Sequence, residues 1–265
     1  MRCITLLTDF GCRDAYVGIL KGVIARLNSA VSIIDLTHQI PPQDILAARF
    51  NLLNSYAYFP SGTVHLVVVD PGVGTHRRAI AVEFGRGFLV GPDNGVLSGV
   101  VQQEAASGVV ELTNPRYWLT STPSSTFHGR DIFAPVAAYL ARGVPLHDLG
   151  RPLDQSTLIT PDLPPAQLTD EGGSGVIQYI DHYGNLITNI PAPAWEHWTA
   201  SVQTSTGQSF ALETQPTYGA AAPGTLLALV GSHGWIEIAI NGGSAAQYLE
   251  AQIGDPVKLV GESIE

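Results

Sequence analysis

The sequence predicts an α/β N-terminal domain with a mostly parallel central sheet, followed by a small all-β C-terminal domain. Three observations carry that expectation. Up to about residue 150, short β-rich runs alternate with stretches of helical periodicity, the pattern of α/β folds. From about 151 to 173 the composition turns to Pro, Asp, Thr and Gly, as a linker requires. Beyond it only short strand-like runs between turns remain, which suits a barrel or a sandwich. The expected boundaries are 1–160, a linker at 161–173, and 174–265.

Taken in order, Cys3–Leu7 reads as a strand, followed by a polar loop and a helical segment through about Asn28. Ser32–Leu36 is strand-like. Between Gln43 and Tyr56 the pattern is helical, with Ile45, Ala48, Leu52 and Leu53 on one side. Thr63–Val69 is a continuous apolar run and suits a central strand buried on both faces. Strands are expected at Ala79–Phe84 and Phe88–Val90, with the turn Pro92-Asp93-Asn94-Gly95 after them. Ile132, Phe133, Val136, Ala137 and Leu140 mark a helix closed by Gly143 and Pro145. In the second half, strands are expected at 175–181, 186–190, 199–204, 226–230, 235–240 and 256–260.

The 265 residues suffice for one large domain or two modest ones. Hydrophobic residues make up 45% and charged residues 14%, which excludes a disordered chain. The net charge of −10, with no Lys/Arg run, argues against nucleic acid or an anionic membrane surface as partner. No apolar run reaches 18 residues, so no span is expected. The opening MRCITLLTDF is too short in apolar residues for a signal segment, and a cytoplasmic location is expected. Two cysteines, Cys3 and Cys12, make neither a disulfide framework nor a thiolate metal site.

Polar residues gather where predicted strands end. In open α/β sheets that edge is where ligands bind. Three such loops are Thr8-Asp9-Phe10-Gly11-Cys12-Arg13-Asp14, Asp70-Pro71-Gly72-Val73-Gly74-Thr75-His76-Arg77 and Thr126-Phe127-His128-Gly129-Arg130-Asp131. Each carboxylate alone reads as a turn former or helix cap. Three loops of this kind in one half-chain point to a shared site. Gly72-Val73-Gly74 lacks the third glycine of a dinucleotide fingerprint and the Gly-Lys-Ser/Thr of a P-loop. The eight histidines show no zinc-ligand spacing, and Gly-x-Ser-x-Gly is absent. An Asp/Arg/His group remains: Asp70, Arg77 and His128. An arginine keeps a neighbouring carboxylate ionised, and an ionised carboxylate orients a histidine or a water; an ion pair beside an unrelated histidine fits these residues equally well. The second half adds Asp181-His182-Tyr183-Gly184-Asn185 and Gly231-Ser232-His233-Gly234-Trp235, which by themselves read as hairpin turns.

These motifs, with Lys21-Gly22, Asp35-Leu36-Thr37-His38, Tyr58-Phe59-Pro60 and Glu237-Ile238-Ala239, run in order along nearly the whole chain. Together they resemble the S-adenosylmethionine hydroxide adenosyltransferases, relatives of the bacterial fluorinase and chlorinase. The resemblance implies a barrel-like C-terminal domain and a homotrimer with sites between subunits. It implies hydrolysis of S-adenosyl-L-methionine to adenosine and L-methionine, by attack of water at the ribose 5′ carbon. The leaving group is a neutral thioether that needs no proton, so no general acid, cofactor or metal is demanded.

Carried over by motif, Asp70, Arg77 and His128 form the water-activating triad. Asp9 matches the acceptor of the ribose hydroxyls, Asn185 the reader of the adenine edge, and Phe127 a wall of the nucleoside pocket. Ser232 and Glu237 match the region that holds the methionine end, and Asp14 and Asp181 add negative charge near the cationic centres. Where the fluorinase has a tyrosine, a threonine and a serine near its halide, this chain has Asp70, Val73 and Gly129. The fluorinase arginines near the methionine carboxylate are His233 and Ile240 here. An anionic Asp70 repels a halide, which favours hydrolysis. The alternatives are a halogenase using chloride and a non-catalytic sensor of S-adenosylmethionine or adenosine.

Overall fold

In this computed structural model the described residues are 3–195, 197–204 and 207–261, and they divide into two units, Met1–Pro161 and Asp162–Glu265. The first unit is built on strands β1 (Cys3–Thr8), β2 (Ser32–Thr37), β3 (Thr63–Val68), β4 (Ala79–Phe84), β5 (Gly87–Pro92), β6 (Ala106–Glu111) and β7 (Arg151–Pro152). Their order across the sheet is β2-β1-β3-β5-β4-β6-β7. From β2 to β5 every pairing is parallel, and β4, β6 and β7 add antiparallel. The α/β expectation therefore holds, with an antiparallel extension. Its origin is the tight β4–β5 hairpin, whose strands are separated by only Gly85 and Arg86.

β1 and β3 are buried at every position, as an unbroken apolar run demands. Their C-terminal ends lie side by side, with Thr8 paired to Val68, so Asp9 and Asp70 leave the sheet at one edge.

Among the described residues four α-helices serve this unit: α1 (Tyr16–Leu27), α2 (Ile45–Ser55), α3 (Ser98–Gln103) and α4 (Ala134–Ala141). Asp44 caps α2 by accepting the Ala47 N–H at 2.9 Å. Leu20 and Ile24 of α1 share one core with Val136, Ala137 and Leu140 of α4. Alternate residues Ile4, Leu6, Val64, Leu66 and Val68 of the sheet complete it. A π-helical turn, Gly129–Phe133, leads into α4, with His128 at its N-cap. Such turns are rare and gather at functional sites.

Among the described residues of the second unit the strands are β8 (Gln167–Leu168), β9 (Gly172–Ile180), β10 (Leu186–Pro191), β11 (Trp198–Gln203), β12 (Ser209–Leu212), β13 (Leu226–Val230), β14 (Trp235–Ile240) and β15 (Pro256–Gly261), with a short α-helix, α5 (Ala245–Leu249). The sheet order is β12-β11-β15-β9-β10-β14-β13, antiparallel throughout, with β8 on β9. Its two ends approach closure: the Ala228 N–H donates to the Glu213 carbonyl at 3.0 Å, and the Gln215 N–H to the Ala228 carbonyl at 2.9 Å. A nearly closed barrel, rather than a sandwich, hides its edges in this way. Among the described residues no helix is long and apolar enough to cross a membrane.

Candidate active site

Where β1 and β3 end, the first unit opens into a cleft of about 500 Å³ lined by Asp9, Phe10, Tyr16, Gln43, Asp70, Val73, Phe127, His128 and Arg130 among others. Local backbone chemistry places each of these groups. The Gly11 N–H bonds the His38 carbonyl at 2.7 Å, and the Phe10 N–H bonds the Thr8 hydroxyl at 3.2 Å; these fix the turn that carries Asp9. One Asp9 oxygen accepts the Gln43 N–H at 2.8 Å. Gln43 holds φ at 68°, a left-handed conformation unusual for a side-chain-bearing residue and frequent at binding sites.

The Gly72-Val73-Gly74 run makes a close approach, not a phosphate cradle. Gly74 has φ of 75°, and a Cβ there would fall 2.1 Å from the Ser125 carbonyl oxygen. That approach packs the loop of Asp70 directly against the loop of His128. A Cβ on Gly72 would stand 3.2 Å from Arg77 Cγ, so glycine also clears the path of the arginine.

Asp70, Arg77 and His128 meet there. Arg77 Nε donates to Asp70 Oδ1 at 2.8 Å, and Arg77 Nη2 donates to Asp70 Oδ2 in a bidentate pair. The side chains are 6% and 9% exposed, so the pair is nearly dry. Arg77 Nη2 also lies 2.8 Å from His128 Nδ1. A guanidinium only donates, so Nδ1 is the acceptor and the ring proton sits on Nε2. Burial, and next the Arg77 charge, hold the His128 pKa below the usual histidine value, against the opposing pull of Asp70 and Asp131. The imidazole is therefore neutral at pH 7. Arg77 further stacks over Phe133 at 5.2 Å. Arg130 donates twice to the buried Asp131, which also accepts the Ser124 N–H at 2.8 Å, and stacks over Phe127.

The second unit has its own cleft of about 530 Å³, lined by Asp181, Tyr183, Asn185, Tyr218, Ile240, Gly242 and Gly243. Asp181 organises its turn by accepting the Tyr183 and Asn185 N–H groups at 2.9 and 2.8 Å. It also accepts Asn185 Nδ2 at 3.0 Å, which orients that amide while leaving its oxygen and second N–H for a ligand. Glu237 is 3% exposed: one oxygen accepts the Tyr218 hydroxyl at 2.6 Å and the other lies 3.2 Å from His233 Nε2. Burial, then the bond to Glu237, push the Tyr218 phenol pKa up, so it stays a donor.

The expected site residues thus fall into groups. Asp9, Asp70, Phe127 and His128 line the first cleft with Arg77 behind them, and Asp181, Asn185 and Ile240 line the second. Glu237 sits behind Tyr218. Asp14 and Ser232 are exposed and line neither cleft. Tyr16, Gln43, Arg130 and Tyr218 were not singled out from sequence. Tyr16 and Tyr218 stand outside any signal of spacing, whereas Arg130 lies inside the His128 motif. A larger cleft of about 640 Å³ runs beside the Pro92–Gly95 turn, but its buried Asp93 is occupied by Arg78 and the Ile159 N–H. Among the described residues no group of three or more His, Cys, Asp or Glu is arranged to hold a metal ion.

Known proteins resemble this chain along most of its length. Residues 4–150 match the SAM hydroxide adenosyltransferase N-terminal domain, and residues 175–258 match the C-terminal domain. A protein of Salinispora tropica named (R)-S-adenosyl-L-methionine hydrolase is 43% identical over 264 residues, covering 97% of each chain. The fluorinase of Actinopolyspora mzabensis is 28% identical, over 97% of this chain and 96% of its own. Among solved structures, an uncharacterized conserved protein from Thermotoga maritima superimposes with a TM-score of 0.88 at 36% identity, over 97% of this chain and 99% of that one.

Proposed function

The chain belongs to the SAM hydroxide adenosyltransferase family, and on that premise we propose that it hydrolyses S-adenosyl-L-methionine to adenosine and L-methionine. The sulfonium epimer assigned is R, as in the name of its Salinispora relative. The observation that carries the reading is the Asp70–Arg77–His128 cluster, a dry ion pair fused to a neutral imidazole at the edge of the cleft. A protein that only bound the ligand would need no such group.

Water attacks the 5′ carbon in line with the carbon–sulfur bond. The new bond forms from the water oxygen, the carbon–sulfur electrons return to sulfur, and one proton is released. Because His128 Nδ1 is taken by Arg77, the ring faces the reaction as an Nε2–H donor and orients the water. Asp70, oriented by its pair with Arg77, takes the water proton, which is released to solvent as the products leave. In the fluorinase branch a halide must sit at this point. Here the fixed negative charge of Asp70 opposes one.

Asp9 holds the ribose hydroxyls, Phe127 walls the nucleoside, and Asn185 reads adenine. Glu237 acts on the methionine ammonium through the Tyr218 hydroxyl, with Asp14, Asp181, Ser232 and Ile240 around that end. Since these groups divide between two clefts, the reading assembles each site between subunits of a homotrimer, in the cytoplasm, without a metal. The test is purified protein with S-adenosyl-L-methionine and chloride. Equimolar adenosine and methionine without 5′-chloro-5′-deoxyadenosine is the expected result, and absence of adenosine would end the proposal.

A further inference from the structure

Asp70 and Arg77 are gripped from outside by a turn that plays no part in the mechanism above. Val69, the residue before Asp70, is fully buried and lies past the end of the β3 ladder. Its carbonyl accepts the Asn94 side-chain amide at 2.9 Å. The Asn94 oxygen meanwhile accepts the Val96 N–H at 3.2 Å, so the amide cannot rotate without losing both bonds. Arg78, the residue after Arg77, is held by the neighbouring Asp93. The Asp93 N–H donates to the Arg78 carbonyl at 2.9 Å, and its carboxylate accepts Arg78 Nε at 2.7 Å. Asp93 is 3% exposed and is itself fixed by the Ile159 N–H at 2.9 Å.

The two ends of the loop that carries the ion pair are thus pinned to one rigid turn. We infer that Asn94, braced by Asp93, is a positioning residue that sets the place of the Asp70 carboxylate. The inference rests on the hydrolytic reading of the cleft. A displacement of about 1 Å at a reacting group lowers turnover by roughly 10²-fold, whereas binding through Asp9 and Asn185 does not pass through Val69.

The experiment is a double-mutant cycle read on the folded protein. Asn94→Ser keeps an acceptor for the Val96 N–H and loses the reach to Val69, which guards against misfolding; Asn94→Ala runs in parallel. The single change should lower kcat by about 10–100-fold with KM within about threefold. Added to Asp70→Asn, it should lower kcat by less than about twofold more, because it acts through a carboxylate already gone. An unchanged kcat, or a loss that multiplies fully with that of Asp70→Asn, would overturn the inference, since either marks a structural residue only.

An NMR titration of His128 gives a readout independent of turnover. Asn94→Ser should move its midpoint toward that of an ordinary histidine as Arg77 leaves Nδ1. If the wild-type protein releases no adenosine, the hydrolytic reading fails. The titration then decides Asn94 alone, and an unmoved midpoint refutes its hold on the pair.

Discussion

Replacing Asp70 by asparagine keeps the shape of the side chain and removes its charge. One Arg77 donor keeps an oxygen to bond; the other meets an N–H. With the two side chains 6% and 9% exposed, the strained arrangement has little water to relieve it. Breaking a buried pair costs about 3–5 kcal/mol, which is the ceiling for the stability loss here because one hydrogen bond survives. The effect on chemistry is separate. A positioned acid–base group contributes ~10²–10⁴-fold, equal to about 2.7–5.5 kcal/mol of barrier, and kcat should fall by that factor. KM should stay within about threefold, because no predicted binding contact runs through Asp70. Adenosine release is followed by chromatography, and the folded fraction is set by circular dichroism. A kcat per folded molecule within about threefold of wild type would remove Asp70 from the mechanism.

Further outcomes are expected. Activity should survive a chelator, because a neutral thioether leaves without a Lewis acid; loss in EDTA and recovery with a divalent ion would refute this. Mixing Asp9→Ala and Asn185→Ala subunits should restore some activity when subunits exchange, since some interfaces then carry neither change, and a fully active monomer would contradict composite sites. His65 is buried against the Thr5 hydroxyl, and burial lowers its pKa to about 4. Its unfolded form binds a proton below about pH 6.5 while the folded form resists one. That contribution is intact above pH 6.5 and is lost as the pH falls toward 4, by up to about 3 kcal/mol. Denaturant titrations of wild type and His65→Gln across this interval measure it, and equal slopes would refute the assignment.

Much of the framework was legible because periodicity reports burial. All but the last residue of the unbroken Thr63–Val69 run became a strand, Thr63–Val68, buried at every position, and the runs at 79–84, 226–230 and 235–240 became strands with those bounds. Short elements without a repeat escaped: Ser98–Gln103 has six residues, and Ala106–Glu111 begins Ala-Ser-Gly and shows no alternation. Likewise Gln167–Leu168 forms a strand inside a stretch whose prolines and acids read as linker.

For the candidate site, motif order named Asp70, Arg77 and His128, but not why they meet. That answer lies in Gly74, whose missing Cβ admits the Ser125 carbonyl, a contact between loops about fifty residues apart. Nor does a sequence reveal tautomers: only the Arg77–His128 bond shows that Nδ1 is an acceptor. The engagement of Glu237 by Tyr218 was hidden because Tyr218 sits in an irregular stretch between β12 and β13.

The central claim is that water attacks the 5′ carbon of the substrate. Turnover of S-adenosyl-L-methionine in ¹⁸O-labelled water, with mass spectrometry of both products, measures this directly. One labelled oxygen in adenosine and none gained in methionine during turnover is the predicted result. Unlabelled adenosine, or a 5′-chloro product in its place when chloride is present, would contradict it.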